Sequence, residues 1–234
     1  MQWLDSVLKE EYGMVGVLRD TDKITIYHLR HKQLGRDLVR LSFEGGGDVY
    51  RLLQTVRHDN LPRIYEVMQE GGRCTVLEEF IDGVTVAQIL KSGLYTEEGV
   101  RRVMLPLCDA VGFLHGAGIV HRDIKPENVM VTSAGRVVLL DFDTARRHKP
   151  EAGRDTRVLG TAGYAAPEQF GVAQTDARSD IFAMGIMMNV MLTGEHPTKT
   201  VAGGSMRRII EKCTRLDPNK RFRSVWELKE KLQD

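Results

Sequence analysis

Cysteine is scarce: Cys74, Cys108 and Cys213 stand far apart in 234 residues. No pair has Cys-x-x-Cys spacing, so neither a zinc knuckle nor a disulfide framework is signalled, and reduced thiols in the cytoplasm are the expectation. An excess of either charge is also missing. Lys and Arg number 33 against 32 Asp and Glu, a formal net charge of +1. Bulk charge therefore gives no reason to expect a nucleic-acid or membrane-surface partner. Long apolar runs are absent as well. The longest, Ile181 to Leu192, is interrupted by Asn189 and suits a buried helix rather than a membrane span. Residues 1–10 include Asp5, Lys9 and Glu10 and lack a long apolar core, so no secretory signal is expected. Aromatics are only 6%, yet the 42% hydrophobic and 28% charged content is ordinary for a folded chain and excludes global disorder. At about 150 residues per domain, the length suits one large domain or two lobes.

The first third is punctuated like a sheet. Residues 15–18, 24–29, 38–43, 64–69 and 74–80 read as strands, with Glu70-Gly71-Gly72-Arg73 as a hairpin turn. Apolar residues at 49, 52, 53 and 56 have helical spacing. After Asp82-Gly83 the pattern changes. A short helix over 85–90 precedes a long one opened by Thr96-Glu97-Glu98 and running to about Ala117. Short strands at 129–131 and 137–140 follow, then helices near 180–192, 205–214 and 224–232. The expectation is an α+β chain of two lobes, a sheet-rich N-lobe over 1–81 and a helical C-lobe over 82–234.

The most informative stretch is His121-Arg122-Asp123-Ile124-Lys125-Pro126-Glu127-Asn128. Asp141-Phe142-Asp143 follows the apolar strand, then come Gly160-Thr161, Ala166-Pro167-Glu168, Ser179-Asp180 and Arg221. In order and spacing these motifs resemble the eukaryotic-type protein kinase family, in the Ser/Thr branch found in bacteria. The resemblance is specific over about 100–230 and weaker over about 15–95. It implies a bilobal protein-kinase-like fold, with a small antiparallel sheet in the N-lobe, and transfer of the γ-phosphoryl group of ATP to protein hydroxyls.

Phosphoryl transfer asks a protein mainly for positioning and electrostatics. On the resemblance, Asp123 accepts and orients the substrate hydroxyl, and Lys125 neutralises the moving phosphoryl group. Asn128 and Asp141 supply hard oxygen ligands for Mg²⁺. Lys125 with Thr161 marks Ser/Thr specificity. Glu168 and Arg221 form a buried ion pair, and Asp180 holds the catalytic loop from below. His115 and His121 read as packed core histidines, because no Cys or carboxylate stands beside them at zinc spacing. In the linker, Glu79 offers a carbonyl and Ile81 an N–H to adenine, while Ile26, Val39 and Met130 sandwich the base; plain core packing is the alternative for these three. Glu78 falls where the family has an apolar residue, and a buried carboxylate there needs a partner. An arginine at Arg122 often receives a phosphate from the activation segment, and Thr156 is the best-placed hydroxyl.

The chain departs from the family in its N-lobe. The glycine-rich loop falls at Arg19-Asp20-Thr21-Asp22-Lys23-Ile24, which holds no glycine. The phosphate-clamping lysine of the third strand is missing from Leu38-Val39-Arg40-Leu41. One register puts Arg40 in its place, with Asp48 as partner, and the other puts Leu41 there; Arg40 is favoured. Asp143 replaces a glycine after the metal motif. Only a short link, residues 194–205, joins the two late helices, where the family inserts a further helix.

These features leave three function classes: an active Ser/Thr protein kinase, which is favoured; a pseudokinase acting as a nucleotide-binding or scaffold module; and a small-molecule phosphotransferase. The partners implied are ATP, Mg²⁺ and a protein substrate, with no nucleic acid and no membrane segment in this chain.

Overall fold

The computed structural model describes residues 2–147, 161, 163–170 and 175–234, and side chains from Ser6 onward. The chain forms two compact units, Met1–Asp82 and Gly83–Asp234. The first opens with α1 (Gln2–Glu11), β1 (Tyr12–Asp20), β2 (Ile24–His31) and β3 (Asp37–Glu44), continues through α2 (Asp48–Gln54), and closes with β4 (Ile64–Glu70) and β5 (Arg73–Glu79). Its strands form one antiparallel sheet in the order β1-β2-β3-β5-β4.

Strand alternation sorts the side chains of this sheet. Ile26, Leu41 and Val76 are cross-strand partners, as are His28, Val39 and Glu78. These rows lie on the face of Phe43, whose ring meets Tyr50 of α2 at 5.5 Å. Tyr27, Arg40 and Leu77 share the other face. There Leu29, Leu38 and Leu77 pack with Leu8 of α1. Lys32 Nζ donates to the carbonyls of Lys9 and Glu10 at 2.8 and 2.9 Å, satisfying groups that a helix end leaves open.

The second unit contains β6 (Gly83–Thr85), α3 (Val86–Leu90), α4 (Glu97–Gly116), β7 (Ile119–Val120), β8 (Val129–Thr132), β9 (Val137–Leu139) and β10 (Arg146–Arg147). It ends with α5 (Ala177–Thr193), α6 (Met206–Cys213) and α7 (Val225–Gln233). Thr96 caps α4 by accepting from the Gly99 N–H at 3.1 Å, with Glu97 and Glu98 in its first turn, which favours carboxylates. Helix α5 is buried along most of its length and ends on Gly194 at φ 72°, a left-handed cap that glycine adopts without strain. Gly112 of α4 lies against Trp226 of α7 so closely that an added Cβ would sit 2.3 Å from the indole. No helix among the described residues is long and apolar enough to cross a membrane.

The short link after α5 is organised by one side chain. Asn189 Nδ2 donates to the carbonyls of Glu195 and Thr200 at 2.7 and 2.8 Å, and its Oδ1 accepts from the Ala202 N–H at 2.9 Å. Among the described residues, 194–205 holds no helix.

Candidate active site

In the second unit β7 delivers His121-Arg122-Asp123, and α5 fixes the backbone of that loop. Asp180, fully buried near the start of α5, accepts from the N–H groups of His121 and Arg122 at 2.9 and 2.8 Å. Its second oxygen also takes His115 Nε2 at 2.8 Å. Burial alone would raise this carboxyl's pKa, but the His115 hydrogen bond and charge, with the His121 contacts, hold it below its usual range. His121 bonds through its ring to the Leu140 carbonyl at 3.1 Å and meets the Phe142 ring edge-on. Burial pushes its pKa down. Both histidines are thus hydrogen-bonded, His121 within the core and His115 partly exposed at its edge.

Arg122 and Asp141 are the non-glycine residues with positive φ, 69° and 68°, among those described. Such backbone costs of order 1–3 kcal/mol and persists where the surroundings over-determine it. Asp180 supplies that constraint at Arg122. Asp143 does not share the conformation, so its replacement of glycine asks for no left-handed backbone.

Asp123, Lys125 and Thr161 form a closed triangle. Thr161 Oγ1 donates to Asp123 Oδ1 at 2.7 Å, Lys125 Nζ donates to Asp123 Oδ2 at 2.7 Å, and Lys125 Nζ reaches Thr161 Oγ1 at 2.7 Å. Asn128 Nδ2 adds bonds to the Asp123 carbonyl at 2.8 Å and to Oδ2 at 3.0 Å. Burial would raise the Asp123 pKa, but the bonds from Lys125 and Thr161 outweigh it and hold the carboxyl below its usual value. The result is a buried, ionised carboxylate with a cation beside it.

With its amide nitrogen committed to Asp123, Asn128 has its Oδ1 left for a cation among the described residues. The Leu140 N–H donates to the Asn128 carbonyl at 2.8 Å, which brings Asp141 alongside. An amide oxygen and a carboxylate are hard donors that suit Mg²⁺, an ion that keeps waters and shares phosphate oxygens, so these two residues fit the metal. Among the described residues there is no cluster of three or more His, Cys, Asp or Glu that could hold a metal without such help.

The activation segment is anchored at its far end. Arg221 binds Glu168 through two bonds of 2.6 and 3.0 Å, and Ser179 donates to Glu168 at 2.7 Å. These bonds hold the Glu168 pKa down against burial, which alone would raise it. Arg122 is buried, and its Nε donates to the Thr144 carbonyl at 2.8 Å. Thr156 lies outside the described residues.

The remaining sequence candidates fall as follows. Met130 is half-buried on β8, paired with Thr85 and Val138. In the first unit Ile26 and Val39 share the α2-facing side of the sheet. Arg40 does not, and this corrects the favoured register. Its alternation points it to the α1 side, and Leu41 takes the position beside Ile26 and Val76. Asp48, offered as its partner, bonds Arg51 at 3.1 Å instead. Glu78, buried, lies in the row of His28 and Val39. The Glu79 N–H donates to the Arg63 carbonyl at 2.8 Å, while the Ile81 N–H has no acceptor among the described residues. The turn after β1 closes on itself. Thr21 donates its N–H to the Ile24 carbonyl at 3.0 Å, and its hydroxyl accepts the Ile24 N–H at 3.2 Å.

The sequence reading missed two contributors to this arrangement, Ser179 and Gln169. Gln169 Nε2 donates to the Arg122 carbonyl at 2.8 Å. Only the three-dimensional packing brings Gln169 to the catalytic loop and Ser179 to Glu168.

Comparison with known proteins matches the family described as "Protein kinase domain" over residues 50–233. The chain is 36% identical over 126 residues to the probable serine/threonine-protein kinase PknB of Corynebacterium glutamicum, which covers 52% of this chain and 20% of that protein. It is 33% identical over 195 residues to CBL-interacting protein kinase 16 of Oryza sativa subsp. japonica, covering 73% of this chain and 42% of that one. With serine/threonine-protein kinase pkn2 of Myxococcus xanthus it shares 33% over 154 residues, 63% of this chain and 19% of the relative. The chain thus matches less than half the length of each of these relatives.

Proposed function

The chain belongs to the protein kinase family, and on that footing we propose that it transfers the γ-phosphoryl group of ATP to serine or threonine hydroxyls of a protein substrate. The observation that carries this reading is the triangle of Asp123, Lys125 and Thr161, backed by Asn128. The low pKa of Asp123 makes it a weak base. It accepts a hydrogen bond from the incoming hydroxyl and orients the oxygen, and it takes the proton late. A loose transition state needs little more from the nucleophile. Lys125, already against Asp123, offsets negative charge on the phosphoryl group as it moves. Asn128 and Asp141 would hold Mg²⁺, which supplies charge neutralisation on the phosphate oxygens.

The clamp of the first unit supports weak nucleotide binding. Leu41 replaces the cation expected at that point of β3, and the turn after β1 spends two of its groups on itself. The same observations favour a second reading, a pseudokinase that holds nucleotide or a partner without turnover.

Incubation with Mg²⁺, labelled ATP and a generic protein substrate separates the two. An active enzyme incorporates label, and Asp123→Asn lowers the rate about 10²–10⁴-fold. Incorporation absent from the parent, or equal in parent and variant, removes the kinase reading.

A further inference from the structure

Behind the catalytic loop the second unit carries an open cleft of about 520 Å³, within the size range of ligand pockets. Its apolar lining is the half-buried Ala177 and Pro218, with Ile119 and Val120 buried behind them, and its cations are Arg178, Arg221 and Arg223. The acid in this lining is Asp176, and it is already answered by Arg178 at 2.6 Å. Arg221 is consumed by Glu168 and by the carbonyls of Arg215, Arg178 and Leu216. Arg223 differs. It is exposed; its backbone N–H donates to Glu227 at 2.8 Å and its charge helps hold that carboxyl low, but among the described residues its guanidinium makes no hydrogen bond. The Glu227 carboxylate is itself paired with Lys212 at 2.8 Å. Arg178 bonds Asp176 and Asn219 and keeps one donor on each terminal nitrogen. The cleft therefore combines apolar surface with unspent guanidinium donors.

We propose that this cleft is a binding site for a small amphipathic anion, an aryl or alkyl phosphomonoester or carboxylate, whose charged end is held by Arg223 and Arg178 and whose apolar end rests on Ala177 and Pro218. The site bears on the reaction centre. Ile119 and Val120 pair with Arg147 and Arg146 of the activation segment and lead directly into His121. An occupant lies over the strand that carries the catalytic loop, while Arg221, in the same lining, is bound to Glu168.

The test is titration calorimetry of the whole chain with phenyl phosphate, benzoate, benzyl alcohol and inorganic phosphate as probes. Phenyl phosphate or benzoate should bind saturably at one site, and the tighter of the two identifies the anion class. Benzyl alcohol and inorganic phosphate each lack one half of the ligand and should bind about tenfold more weakly or worse. Arg223→Ala, a surface change, should weaken the best probe about tenfold, and Ala177→Leu, which narrows the cleft, should abolish it. Asp123→Asn should leave it unchanged. No saturable binding, binding indifferent to Arg223→Ala, or binding lost in Asp123→Asn would overturn the assignment. The measurement reads binding alone, so its failure and a failure of phosphoryl transfer are distinguishable.

Discussion

Replacing Glu168 by Ala removes the partner of a guanidinium whose side chain is 0% exposed. Two Arg221 bonds and the Ser179 bond disappear together. Breaking one side of a buried ion pair costs about 3–5 kcal/mol. Three backbone carbonyls remain on Arg221, which places the charge term near the lower end, about 3 kcal/mol. The stranded Ser179 hydroxyl adds about 1 kcal/mol. The expected loss is thus about 4 kcal/mol, or about 8–16 °C in the melting of a unit this size. Urea unfolding followed through the half-exposed Trp226 of α7 reports the second unit directly. The control is a double-mutant cycle. Arg221→Leu alone strands the carboxylate and Glu168→Met alone strands the guanidinium, whereas the two together replace both charges by apolar groups and should cost less than either single change. Single variants costing under about 1 kcal/mol, as an exposed pair would, or a double variant equal to the sum of the singles, would refute the reasoning.

Gly112→Ala should destabilise the α4–α7 contact by about 1–3 kcal/mol, because the new methyl meets the Trp226 ring; adding Trp226→Ala should recover part of the loss in thermal melts. Asn189→Ala should cost about 2–4 kcal/mol by stranding the Thr200 carbonyl and the Ala202 N–H, while the Glu195 carbonyl keeps the Thr193 hydroxyl. Limited proteolysis should then cut within 194–205 faster than in the parent. Acid should act in two stages. His121 is held below its usual 6.5, with burial the leading cause, so the unfolded chain takes that proton first and stability declines as the pH falls below 6.5. Asp123, Glu168 and Asp180 are held below their usual values of 3.8, 4.5 and 3.8 despite burial, so their contribution is complete above 4.5 and is lost as the pH falls through their folded pKa values. Urea midpoints from pH 8 to pH 3 check this, and a flat profile between pH 7 and pH 5 contradicts the first stage.

The catalytic loop was legible because its chemistry is local. Asp123, Lys125 and Asn128 lie within six residues of one another, and the sequence spacing alone brings them to one loop. The anchors Glu168, Asp180 and Arg221 were legible only through the family pattern, since nothing local announces a partner 53 residues away. Arg40 was misplaced because strand alternation has a period of two, and a one-residue slip moves a side chain to the opposite face. Phe43 against Tyr50 fixes the register, and that contact cannot be read from β3 alone. Helix α1 was overlooked even though Trp3, Leu4, Val7 and Leu8 stand at helical spacing. The role of Asn189 was hidden too, because a polar residue in an apolar run reads as an interruption until its acceptors are in place.

Ser179 and Asp180 are neighbours on α5, yet they hold different parts of the protein. Ser179 reaches Glu168 at one end of the activation segment, and Asp180 carries the backbone of the catalytic loop. Successive helical residues point about 100° apart and are separated by about 1.5 Å along the axis. The two loops therefore share a ruler, with their relative placement set by the pitch of a single buried helix. Surface insertions leave that ruler untouched. One extra residue just before Ser179 rotates both attachments together, so loop and segment are lost or kept as a pair.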